Sequence, residues 1–496
     1  MALLFFSVVY VLSIITINAS QIKSVLLFID HERLSWHRNL AIKAGKPRLL
    51  SKWRDPSSFI GWGYPSVWRT ESGLWKMLYQ GWHIPTQNVG NSSTVKLMLM
   101  AISDDAIHWR AAKVPGNPCR TQGIADAPNC VAVSGLDEFS FVFDDQMYVA
   151  AEDSKERLKL LWANGSISIS NDQGHSWHSN WANWTSEGVD PGISIFRNPL
   201  RSSELVVTSR PQNLRETSGR HAGYHSGMSW KDLGSKTNRR ALPVDTLYSS
   251  TKQIYGLPSF CYGNVVVSWL WIYNCTSSIV HGKCYLGGVV SSGIAISYDS
   301  RNFSAAVEKS FSNKVEPAMI FKNIENGPSA GQVYPNTLIV QASNEKSQFK
   351  KSVILIHASA STHPHGYVST SPGTWSSILT YMLRLDGFAC ATVKRVEDGS
   401  AYFETQPFLW ESGELSINAN CSEFGDKIKI MIKNGTSREL LSGFHSIFKG
   451  DATDAVVRWK LGKKLQSLSG EVLMLTAKLV GSAQLYSFRG HFQWTL

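Results

Sequence analysis

The sequence predicts an all-β protein of two domains, and three observations lead to this prediction. The 496 residues include 18 Trp, 16 Tyr and 21 Phe, and the apolar runs are short and rich in β-branched residues. The 38 Gly residues separate these runs as turn signals. A turn motif recurs along the chain, whereas stretches with helical periodicity are rare.

The recurring motif is clearest at Ser170–Trp177, which reads S-x-D-x-G-x-x-W, the Asp-box of sialidase-type propellers. Looser copies lie at Ser103–Trp109, Tyr224–Trp230 and Ser297–Phe303. The motif is typical of a hairpin turn in which Asp and Ser bind backbone groups, Gly takes a positive φ and the aromatic residue packs beneath. The closing aromatic residues recur every 53 to 73 residues, about one four-stranded blade each. We therefore predict a five-bladed β-propeller over residues 21–370.

The pattern changes after Ser371, where alternating strands follow at even spacing between Gly, Asn and Asp turns. The predicted strands begin at Tyr381, Glu414, Lys427, Val456 and Val472. This spacing predicts a β-sandwich over residues 376–496, so the expected order is a five-bladed β-propeller followed by a β-sandwich.

The start of the chain predicts export. The uncharged apolar run Leu3–Ile17 precedes the small residues Ala19 and Ser20, which is the arrangement of a secretory signal peptide over residues 1–20. A basic segment before the run is missing, so an uncleaved anchor stays open. Seven glycosylation sequons agree with secretion; their Asn residues are Asn91, Asn164, Asn183, Asn274, Asn302, Asn420 and Asn434. We expect a secreted glycoprotein with no stable membrane span after signal cleavage.

The seven cysteines are then expected in an oxidising compartment. Their spacing predicts three disulfides, Cys119 with Cys130, Cys275 with Cys284, and Cys390 with Cys421. Cys261 is left over and is expected as a buried thiol.

The net charge of +11 suggests an anionic partner. No tract of clustered Lys and Arg and no nucleic-acid motif occurs in the sequence, so nucleic acid is not expected. A basic extracellular protein more often meets anionic glycans, although scattered surface charge also serves solubility.

The order of the turn motifs, the segment Tyr255–Tyr262 before Trp269-Leu-Trp271, and a tail from Leu383 to Phe488 resemble the five-bladed propeller glycosidases, the invertase and arabinanase-like enzymes with a C-terminal sandwich. The resemblance covers nearly the whole mature chain. It implies a carbohydrate-active protein whose axial funnel holds three carboxylates from the innermost strands of the first three blades. Glycosidic cleavage needs a protonated carboxyl on the leaving oxygen and an ionised carboxylate opposite.

The resemblance places the first of these carboxylates where this chain has Tyr64, so that triad is not intact. Asp55 lies nine residues earlier and is a weaker candidate. Four other carboxylates precede apolar strands and are the predicted catalytic residues: Asp190, Asp137, Asp245 and Glu187. For each of them a polar turn role is the alternative.

Cationic and aromatic residues near these positions are the predicted substrate-binding set: Arg210, Arg220, His221, Tyr64, Trp62 and His365. Arg can form paired hydrogen bonds to a carboxylate or a sulfate, so an acidic sugar is favoured. Trp and Tyr rings could stack on sugar faces, with core packing as the alternative.

Three hypotheses follow. The first is an extracellular glycoside hydrolase that cleaves a polysaccharide, oligosaccharide or glycoconjugate with paired carboxylates. The second is a lectin-like propeller that binds glycans without catalysis, which Tyr64 favours. The third is a sialidase, which would need six blades and an arginine triad. No cofactor is expected to be required, and a structural calcium ion is left open.

Overall fold

A computed structural model describes residues 23–29, 31–55, 60–83, 95–124, 127–135, 139–144, 158–181, 189–211, 220–230, 232–233, 239–240, 252–275, 287–309, 315–343, 349–365 and 376–495. These residues contain strands and short 3-10 turns and no α-helix. The 3-10 turns are Arg120–Gln122, Val396–Asp398, Lys460–Gly462 and Leu465–Leu468. The predicted all-β class is therefore confirmed.

The chain begins with four strands that lie beside C-terminal parts of the protein. They are β1 (Ser24–Leu27), β2 (Leu34–Arg38), β3 (Leu40–Ala44) and β4 (Arg48–Trp53).

Three antiparallel sheets follow, each made of strands consecutive in the chain. The first contains β5 (Ile60–Arg69), β6 (Trp75–His83), β7 (Val95–Ser103) and β8 (Arg110–Ala111), with β9 (Cys130–Gly135) also on β7. The second contains β10 (Phe139–Asp144), β11 (Leu158–Trp162), β12 (Ile167–Ser170) and β13 (His178–Trp181). The third contains β14 (Val189–Asn198), β15 (Arg201–Pro211), β16 (Gly223–Gly227) and β17 (Arg239–Arg240).

Two further antiparallel units are joined by one parallel residue pair, Val290 with Gln332. The fourth unit contains β18 (Lys252–Gly256), β19 (Ser259–Tyr262), β20 (Val265–Asn274), β21 (Val289–Ser297) and β22 (Ser304–Ala305), followed by β23 (Val307–Lys309), β24 (Val315–Pro317) and β25 (Met319–Phe321). The fifth contains β26 (Gln332–Pro335), β27 (Ile339–Gln341), β28 (Val353–Ser361) and β29 (Ser376–Arg384). The N-terminal β4 pairs with β29 and completes the fifth unit.

The five units close into a ring. Strand β5 contacts β10, β10 contacts β14, β14 contacts β18 and β19, and β28 of the last unit contacts β5. This is a β-propeller, as predicted, and its number of blades stays a prediction. The most apolar stretch of the sequence, in β20, is buried along its length except at Asn274. The N-terminal strand β4 pairs with β29 of the fifth unit. This pairing joins the last unit of the ring to the start of the chain.

The C-terminal strands form an eleven-stranded sheet that folds around its own apolar core, which includes Trp410 and Phe488. They are β30 (Ala389–Val393), β31 (Ser400–Thr405), β32 (Phe408–Cys421), β33 (Lys427–Asn434), β34 (Leu440–Phe448), β35 (Gly450–Val456), β36 (Val472–Val480) and β37 (Gln484–Trp494). The N-terminal β1, β2 and β3 pair with β37, β31 and β30. The structure thus places three strands from the first 44 residues in this domain, and it places β29, expected in the sandwich, in the propeller.

The disulfide predictions have different outcomes. The Cys119–Cys130 disulfide is confirmed. Cys275 is disulfide-bonded, and its predicted partner Cys284 lies outside the described residues. The predicted Cys390–Cys421 bond is wrong, because both residues are thiols. Their strands, β30 and β32, both pair with β37 and so lie on opposite sides of it. Two strand spacings are roughly 9–10 Å, too far for a disulfide.

The leftover cysteine, Cys261, is also a thiol, and it is half-buried. Within the described part of the chain, no helix is long and apolar enough to cross a membrane.

Candidate functional site

One end of the propeller is built from the recurring aspartate turns. In the turn after β12, Asp172 Oδ1 accepts hydrogen bonds from the Ser176 backbone N–H at 2.8 Å and from Ser170 Oγ at 2.9 Å. Gly174 takes a φ of +90° there, and a Cβ at this position would lie 2.5 Å from the Trp68 ring. Only glycine fits this combination of backbone conformation and close approach.

The turns after β7 and β21 repeat this geometry. Asp105 Oδ1 accepts from the backbone N–H groups of Ile107 and His108, both at 2.8 Å. Asp299 Oδ1 accepts from the N–H groups of Arg301 and Asn302 at 2.8 and 2.7 Å. The carboxylates thus bind their own turn backbone, which is a structural role.

The other end of the propeller is where the candidate site lies. In an up-and-down antiparallel unit, the first and third connections share one end, while the second connection and the link to the next unit share the opposite end. The aspartate turns are third connections, so the first residues of β10, β14 and β18 lie at the opposite end. The predicted catalytic residues Asp137, Glu187 and Asp245 precede these strands in the chain and lie outside the described residues.

Six residues at this end form what we call the cation–tyrosine cluster: Arg210, Arg220, Tyr255, Tyr273, Tyr334 and His365. The Arg210 guanidinium carbon lies 4.0 Å from the centroid of the Tyr255 ring. The Arg220 guanidinium carbon lies 4.8 Å from the Tyr273 centroid and 5.6 Å from that of Tyr255. These are cation–π distances. Arg210 lies in β15 and Arg220 lies shortly before β16, while Tyr255 and Tyr273 belong to β18 and β20.

The two guanidinium groups are nearly inaccessible, with exposed fractions of 3% for Arg210 and 4% for Arg220. Arg210 Nη1 donates to the Tyr255 carbonyl oxygen at 3.1 Å, and Arg220 Nη1 donates to Gln253 Oε1 at 2.9 Å. Because a guanidinium is not deprotonated in proteins, the cluster holds two fixed positive charges. Such charges favour the ionised form of a neighbouring carboxylate or an anionic ligand.

Tyr255 is the centre of the cluster. Its ring lies 5.5 Å from Tyr334, 6.0 Å from Tyr273 and 4.9 Å from His365, measured between centroids. Burial raises the pKa of the Tyr273 phenol and raises that of Tyr334 well above the usual value. Both phenols are therefore neutral at physiological pH; Tyr334 donates to Gln332 Oε1 at 2.5 Å, and Tyr273 accepts from the Gly288 backbone N–H at 3.3 Å.

Tyr64 joins the cluster through Tyr334. Its ring stacks on Trp271 at 5.7 Å and meets the edge of Tyr334 at 5.8 Å, and the side chain is buried. Its φ of +41° is an uncommon backbone conformation for a bulky residue. Such strain persists only where packing enforces it, and it concentrates at functional sites. The preceding Gly63 also has positive φ, and a Cβ there would lie 2.8 Å from Ser359 Cβ.

The structure brings together four of the predicted binding residues, Arg210, Arg220, Tyr64 and His365, in or against the cluster. His221 follows Arg220 and is buried. The side chain of Trp62 lies outside the described residues. The backbone of Asp190 lies in β14 directly opposite Arg210 of β15, and its side chain is not among the described ones.

Tyr255, Tyr273 and Tyr334 are site residues that the sequence pattern did not predict. Each lies in or at the end of an apolar run, where a tyrosine is indistinguishable from a core aromatic residue. Their shared signal is position, because all three belong to strands of the fourth and fifth units near the same end of the propeller.

Asp55, the weaker carboxylate candidate, belongs to a separate buried network. Its Oδ2 accepts from Tyr79 Oη and from Asn129 Nδ2, the latter at 2.8 Å. Tyr79 and Asn129 are completely buried, and Asn129 Nδ2 also lies 2.7 Å from Tyr79 Oη. This network holds β6 beside the end of β4.

Comparison with known proteins gives weak structural similarities. No family model and no curated protein matches the sequence. A glycosyl hydrolase from Bacteroides ovatus is 11% identical, with a TM-score of 0.38, over 71% of this chain and 96% of its own. An α-L-arabinanase from Penicillium chrysogenum is 11% identical, with a TM-score of 0.36, over 67% and 98%. An α-L-arabinofuranosidase from Fusarium graminearum is 10% identical, with a TM-score of 0.34, over 68% and 98%. Similarities of this size carry no argument about chemistry, which has to come from the site itself.

Proposed function

We propose that this protein is a secreted glycoside hydrolase that cleaves an extracellular glycan at the cation–tyrosine end of the propeller. The observation that supports this most directly is the position of Asp190, whose backbone lies opposite Arg210 in the β14–β15 pair. An acidic residue at the start of β14, paired through its backbone with a buried arginine, suits acid–base work on a sugar.

The proposed chemistry uses two carboxylates. Asp190 is one of them, and Asp137, Asp245 or Glu187 is its partner. One donates a proton to the glycosidic oxygen, while the other acts on the anomeric carbon directly or through water. The positive charge of Arg210 would favour ionisation of a carboxylate beside it, so we assign the base or nucleophile role to Asp190. The neutral phenol of Tyr273 would supply a hydrogen bond without adding charge.

An anionic glycan is the proposed substrate class. Arg210 and Arg220 place two positive charges within one aromatic cluster, and the whole chain carries a net charge of +11. A uronic or sulfated sugar offers oxygens that a guanidinium fork binds well. His221 and Trp62 are proposed as further binding residues because they are close in the sequence to other residues of the site: His221 follows Arg220, and Trp62 lies two residues before Tyr64.

A glycan-binding protein without catalysis is the second candidate. Tyr64 favours it, because this residue stands where related glycosidases are expected to carry a carboxylate. The packing of Tyr64 on Trp271 leaves an aromatic group at that position. A sialidase is less well supported, since the described part of the cluster contains two arginines rather than three.

The first test is hydrolysis of sulfated, uronic and neutral glycans by the purified secreted protein. Asp190→Asn is expected to lower the rate at least a hundredfold with little loss of binding, because acid–base groups contribute about 10²–10⁴ in rate. Asp245→Asn tests the partner in the same assay. Asp398→Asn, an exposed carboxylate in the C-terminal domain, is the matched control and should leave the rate unchanged.

The outcome separates the candidates. Release of sugar that Asp190→Asn abolishes establishes the hydrolase and locates its acid or base. Glycan binding that survives both substitutions, with no hydrolysis by the unmodified protein, establishes the binding protein instead. Secretion is tested separately, by N-terminal sequencing of the exported protein, which is expected to begin near Gln21.

A further inference from the structure

The C-terminal domain contains a groove that the proposed hydrolase does not use. It has a volume of about 530 Å³ and lies between β34 and the segment from the end of β35 to Lys460. Ile417 and Ile430 form part of its lining, and both belong to the buried core of the domain. The groove therefore reaches down to the apolar interior between two strands.

Both strands that border the groove are edge strands. Among the described residues, β34 pairs with β33 alone and β35 pairs with β32 alone. The two strands are consecutive in the chain but diverge after Lys449, so the sheet has a seam between them. An edge strand presents backbone N–H and C=O groups to any further strand. β34 thus offers an open edge to the groove, and Val456 to Lys460 line the groove opposite it.

Part of this edge is already covered. Lys463 Nζ donates to the Ser442 carbonyl oxygen of β34 at 3.0 Å, which blocks the first half of the strand. The groove is lined by the second half, His445 to Phe448. At about 3.3 Å per residue, this open length is roughly 13 Å, enough for about four residues of an added strand.

The lining is apolar and cationic. Ile447 and Val456 are exposed to 56% and 45% on either side of the opening. Lys449, Arg458 and Lys460 add positive charge, and no Asp or Glu belongs to the lining. The carboxylate of Asp451, on β35, is held by Lys351 and Arg384. An occupant with apolar and acidic residues would complement this surface.

An extended peptide fits these features better than a sugar does. Sugar sites usually present open aromatic faces, whereas Trp459, the single Trp of this lining, is 8% exposed. The exposed apolar side chains of the lining, Ile447 and Val456, are aliphatic, and the open edge of β34 offers backbone hydrogen bonds, which is the requirement for strand addition.

We propose that this groove binds an extended acidic peptide segment of a partner protein, which adds a short strand to the open edge of β34, between it and Val456 to Lys460. Alternate apolar side chains of the peptide contact Ile447 and Val456. Its acidic side chains lie beside Lys449, Arg458 and Lys460. The site is independent of the propeller, so the protein would be attached to a partner through one domain while the other remains open to glycans.

The test uses fluorescence anisotropy with the full-length protein and a labelled peptide, Glu-Val-Asp-Ile-Glu-Val. Two matched probes accompany it: the same sequence with Lys in place of each acidic residue, and the acidic sequence with alternate backbone nitrogens methylated. We expect saturable binding of the first probe and at least tenfold weaker binding of both others. Equal binding of the methylated probe would overturn strand addition, and equal binding of the Lys probe would overturn the charge argument.

Two variants locate the binding site. Ile447→Glu is expected to weaken binding of the acidic probe at least tenfold, because it places a like charge at the groove. Leu440→Glu is the matched control, since Leu440 lies on the same strand with a similar exposure of 58% but outside the lining; it should leave binding unchanged. Equal effects of the two substitutions, or displacement of the probe by a sulfated oligosaccharide, would overturn the proposal. The unmodified protein with the three probes decides the matter even if a variant fails to fold.

Discussion

At the scale of single residues, His357 is a completely buried histidine whose two ring nitrogens both have hydrogen-bond partners. Its Nε2 lies 2.7 Å from the Ala106 carbonyl oxygen, which can only accept, so Nε2 carries the hydrogen. Its Nδ1 lies 2.9 Å from Thr337 Oγ1 and therefore accepts. Burial lowers the pKa of His357 to about 4. The side chain thus links β28 of the last unit to the aspartate turn of the first unit.

This burial makes stability depend on pH. The folded pKa of about 4 lies below the unfolded value of about 6.5, so the unfolded chain binds a proton first as the pH falls. The stabilisation by neutral His357 is complete above pH 6.5 and is lost between about pH 6.5 and 4, to an extent on the order of 3 kcal/mol. His357→Asn should reduce stability at pH 7.5 and flatten its dependence over this window, measured by urea unfolding at pH 7.5, 5.5 and 4.5.

The exposed His178→Asn is the control for this measurement, and it should unfold like the original protein at every pH. A His357→Asn variant that keeps the full pH dependence would show that other groups cause it.

At the scale of elements, the aspartate turns allow a comparison between adjacent carboxylates. Burial would raise the pKa of Asp105, but hydrogen bonds from His108, Ile107 and Ser103 outweigh it and lower that pKa to about 2. Asp105→Ala removes an acceptor for two backbone N–H groups and is expected to cost roughly 1–3 kcal/mol. Asp104→Ala removes a surface ion pair with Arg110 and is expected to cost about 0–1 kcal/mol. Chemical unfolding at pH 7 measures both.

The stability cost of Asp105→Ala is also expected to depend on pH. Because the folded pKa of Asp105 lies below the unfolded one, its stabilisation is present above about pH 4 and is lost as the pH falls towards 2. The difference in stability between the Asp105→Ala variant and the original protein should therefore shrink over this range. Equal costs of the two alanine substitutions at pH 7 would contradict a structural role for the turn.

These turns were predictable from sequence because the hydrogen bonds of their Asp carboxylates are local. Asp172 binds residues two and four positions away, so a short motif determines the geometry. The cation–tyrosine cluster depends instead on distant parts of the chain, since Tyr255 and His365 are 110 residues apart. A motif search has no access to such a contact.

The cysteines and the domain limits show the same difference between local contacts, which the sequence predicts, and contacts between distant parts of the chain, which it does not. Cys119 and Cys130 are 11 residues apart, and their disulfide followed from spacing. Cys390 and Cys421 are separated by β37, a strand from the end of the chain that sequence spacing does not reveal. Strands β1 to β3 pair with C-terminal strands for which their sequence gives no signal. Local turns were thus accessible to sequence reasoning, and long-range pairing was not.

At the scale of the whole molecule, the propeller and the C-terminal domain meet at one buried charge. Asp386 is completely buried, and its Oδ1 accepts from Tyr262 Oη of the propeller at 2.5 Å. On the other side Arg489 Nε, in β37, donates to Asp386 Oδ2 at 2.9 Å. Burial would raise the pKa of Asp386, but the charge and hydrogen bonds of Arg489 outweigh it and hold that pKa below its usual value.

The apolar core is continuous across this junction. Val25 and Leu27, from β1 of the C-terminal sheet, belong to the same buried cluster as Trp269 of the propeller. The Val25 backbone N–H also donates to Asn264 Oδ1 at 2.9 Å. We therefore expect the two domains to unfold together in a single transition.

The last prediction follows from this coupling. Asp386→Asn removes the charge partner of Arg489 from a pair in which Asp386 is completely buried and Arg489 is 18% exposed, and removing one member of a buried ion pair costs about 3–5 kcal/mol. Because the loss falls on the junction, differential scanning calorimetry should resolve two transitions in this variant and one in the original protein. Asp451→Asn is the matched control: it also removes a contact across the junction, from Arg384, but that pair is partly exposed and is expected to contribute about 0–1 kcal/mol. A single transition in Asp386→Asn, shifted no further than in Asp451→Asn, would mean that the apolar core alone couples the domains and that Asp386 has a local role.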